Sequence, residues 1–296
     1  MTFDDFKTIE IQDKATFDRF LLEDPPETSE LTFTNLFIWR HQYRPVWMER
    51  GGCLLLIFQP REGLPYGLFP VGSGDKRKAL EILCQEIRKL TPEVRICRVG
   101  EASVTHHVDA DQYESIPDRD NSDYIYLSED LINLSGRKYH KKKNHLNQFT
   151  KNNEFEYRPL DAELVECVLE MQEAWCQIRE CVEKPDLLAE DYAVHEALTW
   201  FEEFHYRGGA IVMNANVEAF SLGELLNHET AVIHIEKANP EISGLYATIN
   251  QRFCQEAWAD VTYINREQDM GIEGLRRAKE SYYPHHLANK YTLIPK

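Results

Sequence analysis

The chain has 296 residues, a net charge of −17, 43% hydrophobic and 28% charged residues. That length allows one large or two ordinary domains with a sizeable core. The charge repels polyanions and anionic membranes from the bulk surface, so any such partner needs a local basic patch.

The opening residues MTFDDFKTIE are acidic and lack the apolar stretch of an export signal. A strand is expected over 6–11, then a short helix capped by Asp13 and ended by Asp24-Pro25-Pro26. An aromatic cluster at 32–40 precedes a hairpin with strands at 46–49 and 54–59, joined at Gly51-Gly52. Another strand covers 66–71. Leu80, Leu83, Ile87 and Leu90 repeat at three and four, which predicts a helix over 76–90, and a strand follows at 94–99. Residues 101–123 are acidic and turn-rich and read as a solvated connector. His106 and His107 are adjacent and do not suit a metal site, and none is expected anywhere in the chain. The longest apolar run, 54–58, is far too short to span a bilayer.

After a short strand at 124–127 the charge reverses. Between 136 and 151 there is no acid, and six positive charges fall on Arg137, Lys138, Lys141, Lys142, Lys143 and Lys151. Leu134, Tyr139, Leu146 and Phe149 form a narrow apolar stripe, so this is an amphipathic helix with a cationic outer face. It is either a solvated surface or a docking face for phosphate, such as a tRNA acceptor end, a cofactor pyrophosphate or a lipid headgroup. A strand at 155–160 and helices over 161–179 and 189–206 follow. The seven cysteines are odd in number and scattered without a C-x-x-C, which fits a reducing cytoplasm with most thiols buried.

Strands are expected at 210–213, 219–226 and 230–237, then a turn, a helix capped by Ser243 and running to about Trp258, a strand at 261–265 and a helix from Gly271. Strand, helix, strand, helix with short joints is the grammar of an α/β layer. The charged run Arg266-Glu267-Gln268-Asp269 closes the last strand beside Asn265. It either carries ligand chemistry, as strand ends in α/β sheets do, or caps a helix. On the 230–237 strand, His234 and Glu236 share a face, with Glu224 similarly placed on the strand before. The pair is a base relay for an accepting amine or, the favoured reading, a satisfied core histidine. The two halves echo each other in element order, with a division near 115, giving units 1–115 and 116–296.

The element order, with GRKYHKKKNHLNQF, VTYINREQDMGIEGLRRAKESYYP and the closing YTLI, resembles a bacterial family grouped with the C-terminal domain of phosphatidylglycerol lysyltransferases, over about 32–293. The resemblance implies two tandem GNAT-like acyltransferase domains, α/β (α+β) with mixed sheets flanked by helices, as in Fem-type transferases. It implies transfer of an aminoacyl or acyl group to an amine or hydroxyl, on a small molecule or a lipid headgroup. It also implies that Lys279, just before Tyr282, Tyr283 and Pro284, lies in the active region, with Arg276 one turn earlier. The donor would be aminoacyl-tRNA or acyl-CoA. The turn at 238–244 holds one glycine, a proline and Glu241, which suits a CoA pyrophosphate poorly and favours aminoacyl-tRNA.

Overall fold

The computed structural model describes residues 5–296; the start of the opening segment, residues 1–4, lies outside the described residues. The chain forms two compact units. One takes in the chain up to Asp123 with Gln268–Ile272 and Leu287–Lys296, and the other comprises Tyr124–Glu267 and Glu273–His286. The chain therefore passes between units more than once, where the sequence reading placed a single passage at 115/116.

In the first unit, strands β1 (Lys7–Thr8), β2 (Val46–Arg50), β3 (Cys53–Phe58), β4 (Tyr66–Val71), β5 (Ile96–Gly100) and β6 (Tyr113–Pro117) accompany helices α1 (Lys14–Glu23), α2 (Phe33–Ile38), α3 (Arg40–Tyr43), α4 (Lys76–Arg88) and α5 (Glu101–His107). The expected hairpin forms, and Gly51 and Gly52 take φ of 62° and 76° as its tight turn requires. The sheet order is β1-β2-β3-β4-β5, then the C-terminal strand Lys290–Pro295, then β6. Only β4 and β5 run parallel, with α4 as their crossover. Leu80, Leu83 and Ile87 of α4 are buried against Leu55, Ile57 and Ile96, the stripe that the spacing predicts.

The acidic 101–123 stretch is more than a connector. It supplies α5 and β6, and β6 pairs with the C-terminal strand, Tyr113 opposite Pro295 and Pro117 opposite Tyr291. A partner almost two hundred residues away leaves no local trace in the sequence. The same strand brings in Lys290, fully buried, whose Nζ lies 2.7 Å from Glu30 and 2.6 Å from Asp123.

The second unit contains α6 (Ser128–Asn133), α7 (His140–Asn152), α8 (Ala162–Arg179), α9 (Pro185–Thr199), α10 (Phe201–Phe204), α11 (Leu245–Ala257) and α12 (Glu273–Glu280). Its strands are β7 (Asp123–Leu127), β8 (Glu156–Pro159), β9 (Arg207–Met213), β10 (Asn216–Leu225), β11 (Thr230–Ala238) and β12 (Tyr263–Asn265). The sheet runs β7-β12-β11-β10-β9-β8, with strand His286–Ala288 beyond β7. Here too there is a parallel pair, β11 with β12, and α11 is its crossover. Both units are thus α/β with a mixed sheet flanked by helices, and both follow the same order: antiparallel strands, a helical crossover, a parallel strand, then two more strands.

Two expectations are corrected here. Ser243 does not cap α11. The cap is Gly244, at φ 86°, and a Cβ there would meet the His145 carbonyl oxygen at 2.6 Å. Nor are all thiols reduced. Cys176 and Cys181 form a disulfide, while Cys53, Cys84, Cys97, Cys167 and Cys254 are free. The helix carrying Cys176 stops at Arg179, as expected. Glu180 then turns left-handed and folds Cys181 back to a Cα–Cα distance of 5.0 Å from Cys176.

Candidate active site

The parallel pair in the second unit aligns Val232 with Asn265. Beyond Asn265 the strand β12 ends while β11 continues to Ala238. Continuing the register by two residues brings Glu267 to His234. The two make a 2.9 Å hydrogen bond at Nδ1, and Nε2 makes another of 2.9 Å with Glu224 on β10. Glu267 holds a left-handed φ of 56°, and its N–H donates to the Asn265 side chain. Burial by itself would lower the pKa of His234, but the two carboxylates outweigh it and hold the imidazole at about 9. A histidine so held stays protonated near neutrality and does not accept a proton from an amine. Its two ring nitrogens meet Glu267 and Glu224, while Glu236 on the same strand face meets Arg266 and Asn250.

Glu236, two residues on along the same face, accepts from Arg266 Nη2 at 2.8 Å and from Asn250 Nδ2 at 2.9 Å. Arg266 Nη1 and Asn250 Oδ1 are buried without a hydrogen-bond partner. Such unspent polar capacity in an otherwise satisfied cluster marks a place where a further polar group fits. The guanidinium lies 4.8 Å from the Tyr282 ring centroid and 5.7 Å from that of Tyr126.

Lys142 reaches the same ring from α7. Its Nζ is 3.9 Å from the Tyr282 centroid. Among the described residues it has no ion-pair partner, and burial, then the neighbouring Arg266, lowers its pKa to about 8. The basic helix therefore has two sides. Lys142 turns inward, while Arg137, Lys141 and Lys143 are exposed, and Lys138 pairs with Asp130 at 3.3 Å. Tyr139 and Phe149 anchor the helix, as the stripe predicts.

Of the remaining expected site residues, Lys279 on α12 donates to the Arg266 carbonyl, so it braces the backbone of the charged run. Arg276 is half-buried on the same helix. Asp269 belongs to the first unit, where it is fully buried and pairs with Arg119 at 3.1 Å. Sequence reasoning missed Asn250, Tyr126 and the role of Tyr282. A polar residue beside Ile249 in an apolar helix stripe was the available signal for Asn250. The cavities of about 310 and 510 Å³ in this unit lie under α8, lined by Met171, Trp175 and Val217 or by Leu164, Val212 and Val217. They open on the face opposite Glu236: the adjacent Lys237 lies over Trp175 at 3.7 Å. Among the described residues no cluster of three or more His, Cys, Asp or Glu side chains could hold a metal ion. No helix among them is long and apolar enough to cross a membrane.

A family model described as "Phosphatidylglycerol lysyltransferase, C-terminal" matches residues 25–294. A conserved protein of unknown function from Bacteroides thetaiotaomicron is 33% identical, with a TM-score of 0.91 over 98% of this chain and 99% of that one. The L-PGS structure from Bacillus licheniformis is 14% identical, with a TM-score of 0.65 over 95% of this chain and 91% of that one. The FemX structure is 9% identical, with a TM-score of 0.59 over 97% and 96%. These last two show the fold alone, two α/β units with mixed sheets flanked by helices. No curated protein matches the chain.

Proposed function

We propose a function from one premise: the chain belongs to the phosphatidylglycerol lysyltransferase C-terminal family. Its family and fold relatives are transferases, and the coarse reading for this chain is aminoacyl or acyl transfer. The finer reading is that the second unit takes an aminoacyl group from aminoacyl-tRNA and passes it to an amine or hydroxyl. A small molecule or a lipid headgroup would be the acceptor, reached from the cytoplasm.

The observation that carries this reading is the contact of α7 with the start of α11. A CoA pyrophosphate needs exposed N–H groups at a helix N-terminus. Here the His145 carbonyl and Phe149 of the basic helix press on Gly244 so closely that a Cβ would lie 2.6 and 3.0 Å from them. The gap where β11 and β12 part is also filled, by His234 with Glu267 and Glu236 with Arg266. Both features disfavour an acyl-CoA donor, and the cationic outer face of α7 favours a large polyanion.

In this scheme Lys142 and Arg266 gather at Tyr282 and meet negative charge on the donor or at the reacting ester carbonyl. Near pH 8 an amine such as Lys142 is shared between its charged and neutral forms, so it can also exchange a proton with the attacking group. Glu236 and Asn250 hold the guanidinium in place, and Lys279 fixes the backbone from which Arg266 projects.

The test is transfer of label from bulk tRNA charged with labelled amino acids, offered phosphatidylglycerol vesicles or small amines, alongside acetyl-CoA binding. Transfer that disappears in Arg266→Gln, with no tight acetyl-CoA binding, supports the reading. Submicromolar acetyl-CoA affinity with the pyrophosphate at Gly244 and no transfer from tRNA would overturn it in favour of an N-acetyltransferase.

A further inference from the structure

Tyr283 stands apart from the other residues around the site. It follows α12, where Tyr282 and Tyr283 N–H donate to the Lys279 and Glu280 carbonyls at 3.1 and 2.9 Å. Its backbone is left-handed, with φ 55°, immediately before Pro284. Glycine or asparagine takes that conformation at little steric cost, and a bulky aromatic does not. The chain thus carries a strained residue here and leaves it 46% exposed. Strain of this kind is retained where the side chain has a use.

The ring is also propped. It meets Tyr139 edge to face, with centroids 5.5 Å apart and planes at 90°. Tyr139 is fully buried, and its hydroxyl donates to the Tyr282 carbonyl at 3.0 Å. Cations alternate with these rings. Lys138 Nζ is 4.7 Å from the Tyr139 centroid and 5.8 Å from that of Tyr283, and Lys142 covers Tyr282. Among the described residues the Tyr283 hydroxyl makes no hydrogen bond, so its contacts are those of the ring with Tyr139 and Lys138.

We infer that Tyr283 is a stacking platform for an unpaired nucleobase, with the lysines and Arg137 of the basic helix holding the flanking phosphates. This rests on the proposed tRNA donor and specifies how its single-stranded 3′ end is met. A rigid, half-exposed ring among lysines is the arrangement that binds single-stranded nucleic acid, because every base has a π-face and every linkage a phosphate. A bilayer surface fits less well. Membrane-surface helices set large apolar residues beside their basic face. None of the exposed large apolar residues lies on α7.

The experiment compares bulk tRNA having its unpaired 3′ nucleotides with the same tRNA trimmed of them, by competition binding at fixed salt. Wild type should prefer the untrimmed form. Tyr283→Gly should lose that preference, weakening the untrimmed tRNA by about 5- to 100-fold, while Tyr283→Phe keeps it. The glycine variant should melt at nearly the same temperature, because relief of the left-handed backbone offsets the lost ring contact with Tyr139. Loss of the preference at nearly unchanged stability is what a merely structural tyrosine would not give. A fall in melting temperature with equal weakening of both tRNAs would overturn the inference, as would an untrimmed-over-trimmed preference that survives in Tyr283→Gly. Loss of binding to phosphatidylglycerol–phosphatidylcholine vesicles in Tyr283→Gly, with tRNA preference unchanged, would overturn it in favour of a bilayer contact. If both tRNAs bind wild type equally, this inference alone fails. If neither binds, the donor reading fails with it.

Discussion

In the first unit, β4 and β5 pair at Gly67 and Ile96 and then part around a cavity of about 220 Å³. In the second, β11 and β12 part after Val232 and Asn265, and the gap is filled by His234, Glu236, Arg266 and Glu267. The helix that follows the opening strand is also treated differently. At the start of α4, Asp24 accepts the Gly72 N–H at 3.0 Å and pairs with Lys76 at 2.6 Å. At the start of α11, the basic helix α7 closes in on Gly244. One strand order therefore supports two kinds of crossover. The first unit spends its buried charge on joining distant chain segments, with Lys290 fully paired to Glu30 and Asp123. The second leaves Lys142 without an ion-pair partner among the described residues, and atoms of the charged cluster, Arg266 Nη1 and Asn250 Oδ1, without hydrogen bonds. That asymmetry is the reason to seek chemistry in the second unit and stability in the first.

The largest effect expected is at Lys290. Lys290→Met strands two buried carboxylates and should cost about 3–5 kcal/mol in chemical denaturation. tRNA binding by the remaining folded protein should be unchanged. Equal loss of binding would erase the division of labour between the units. Next is Gly244→Ala, which combines a left-handed backbone with a clash on the α7 backbone and should cost about 2–4 kcal/mol. A neutral result would mean that α7 can move off α11, and the main argument against acyl-CoA would go with it.

The third expectation concerns pH. The folded pKa of His234, about 9, lies above the ordinary 6.5, so the folded state holds the proton more tightly. Its stabilisation is complete below about 6.5 and is lost as pH rises through 9, roughly 3 kcal/mol in all. His234→Gln should flatten the stability profile between those pH values. A wild-type profile already flat there would mean that Glu224 and Glu267 do not hold a charged imidazole.

The sequence made the elements around the crossovers legible, because apolar spacing at three and four marks α4, a spacing of four at Leu245, Ile249, Phe253 and Ala257 marks α11, and the charge reversal marks α7. The charged run after β12 was also visible, and its partners follow from the strand register. What could not be read depends on contacts between distant segments. Lys290 sits in a short, ordinary strand, and its partners are 260 and 167 residues away. The basic run gave no sign that Lys142 faces inward while Lys141 and Lys143 face out. That follows from the turn at Arg137–Tyr139, which sets the rotation of α7. Tyr283 was visible only as a letter in a motif, since its left-handed backbone is a property of the fold.

The smallest effect on stability is expected from the outer face of α7, where exposed charges contribute little. It is also where the central claim is most exposed to test. Tyr283 and the cluster at Tyr282 matter only if that face holds a polyanionic donor. The direct measurement is the salt dependence of tRNA affinity for wild type and for the triple variant Arg137→Gln, Lys141→Gln, Lys143→Gln, which spares Lys142. The account expects weaker binding, a log–log salt slope shallower by about 2–3, and a melting temperature that barely moves. An unchanged slope, with or without a lower melting temperature, would contradict it and leave α7 as a charge balance within the protein.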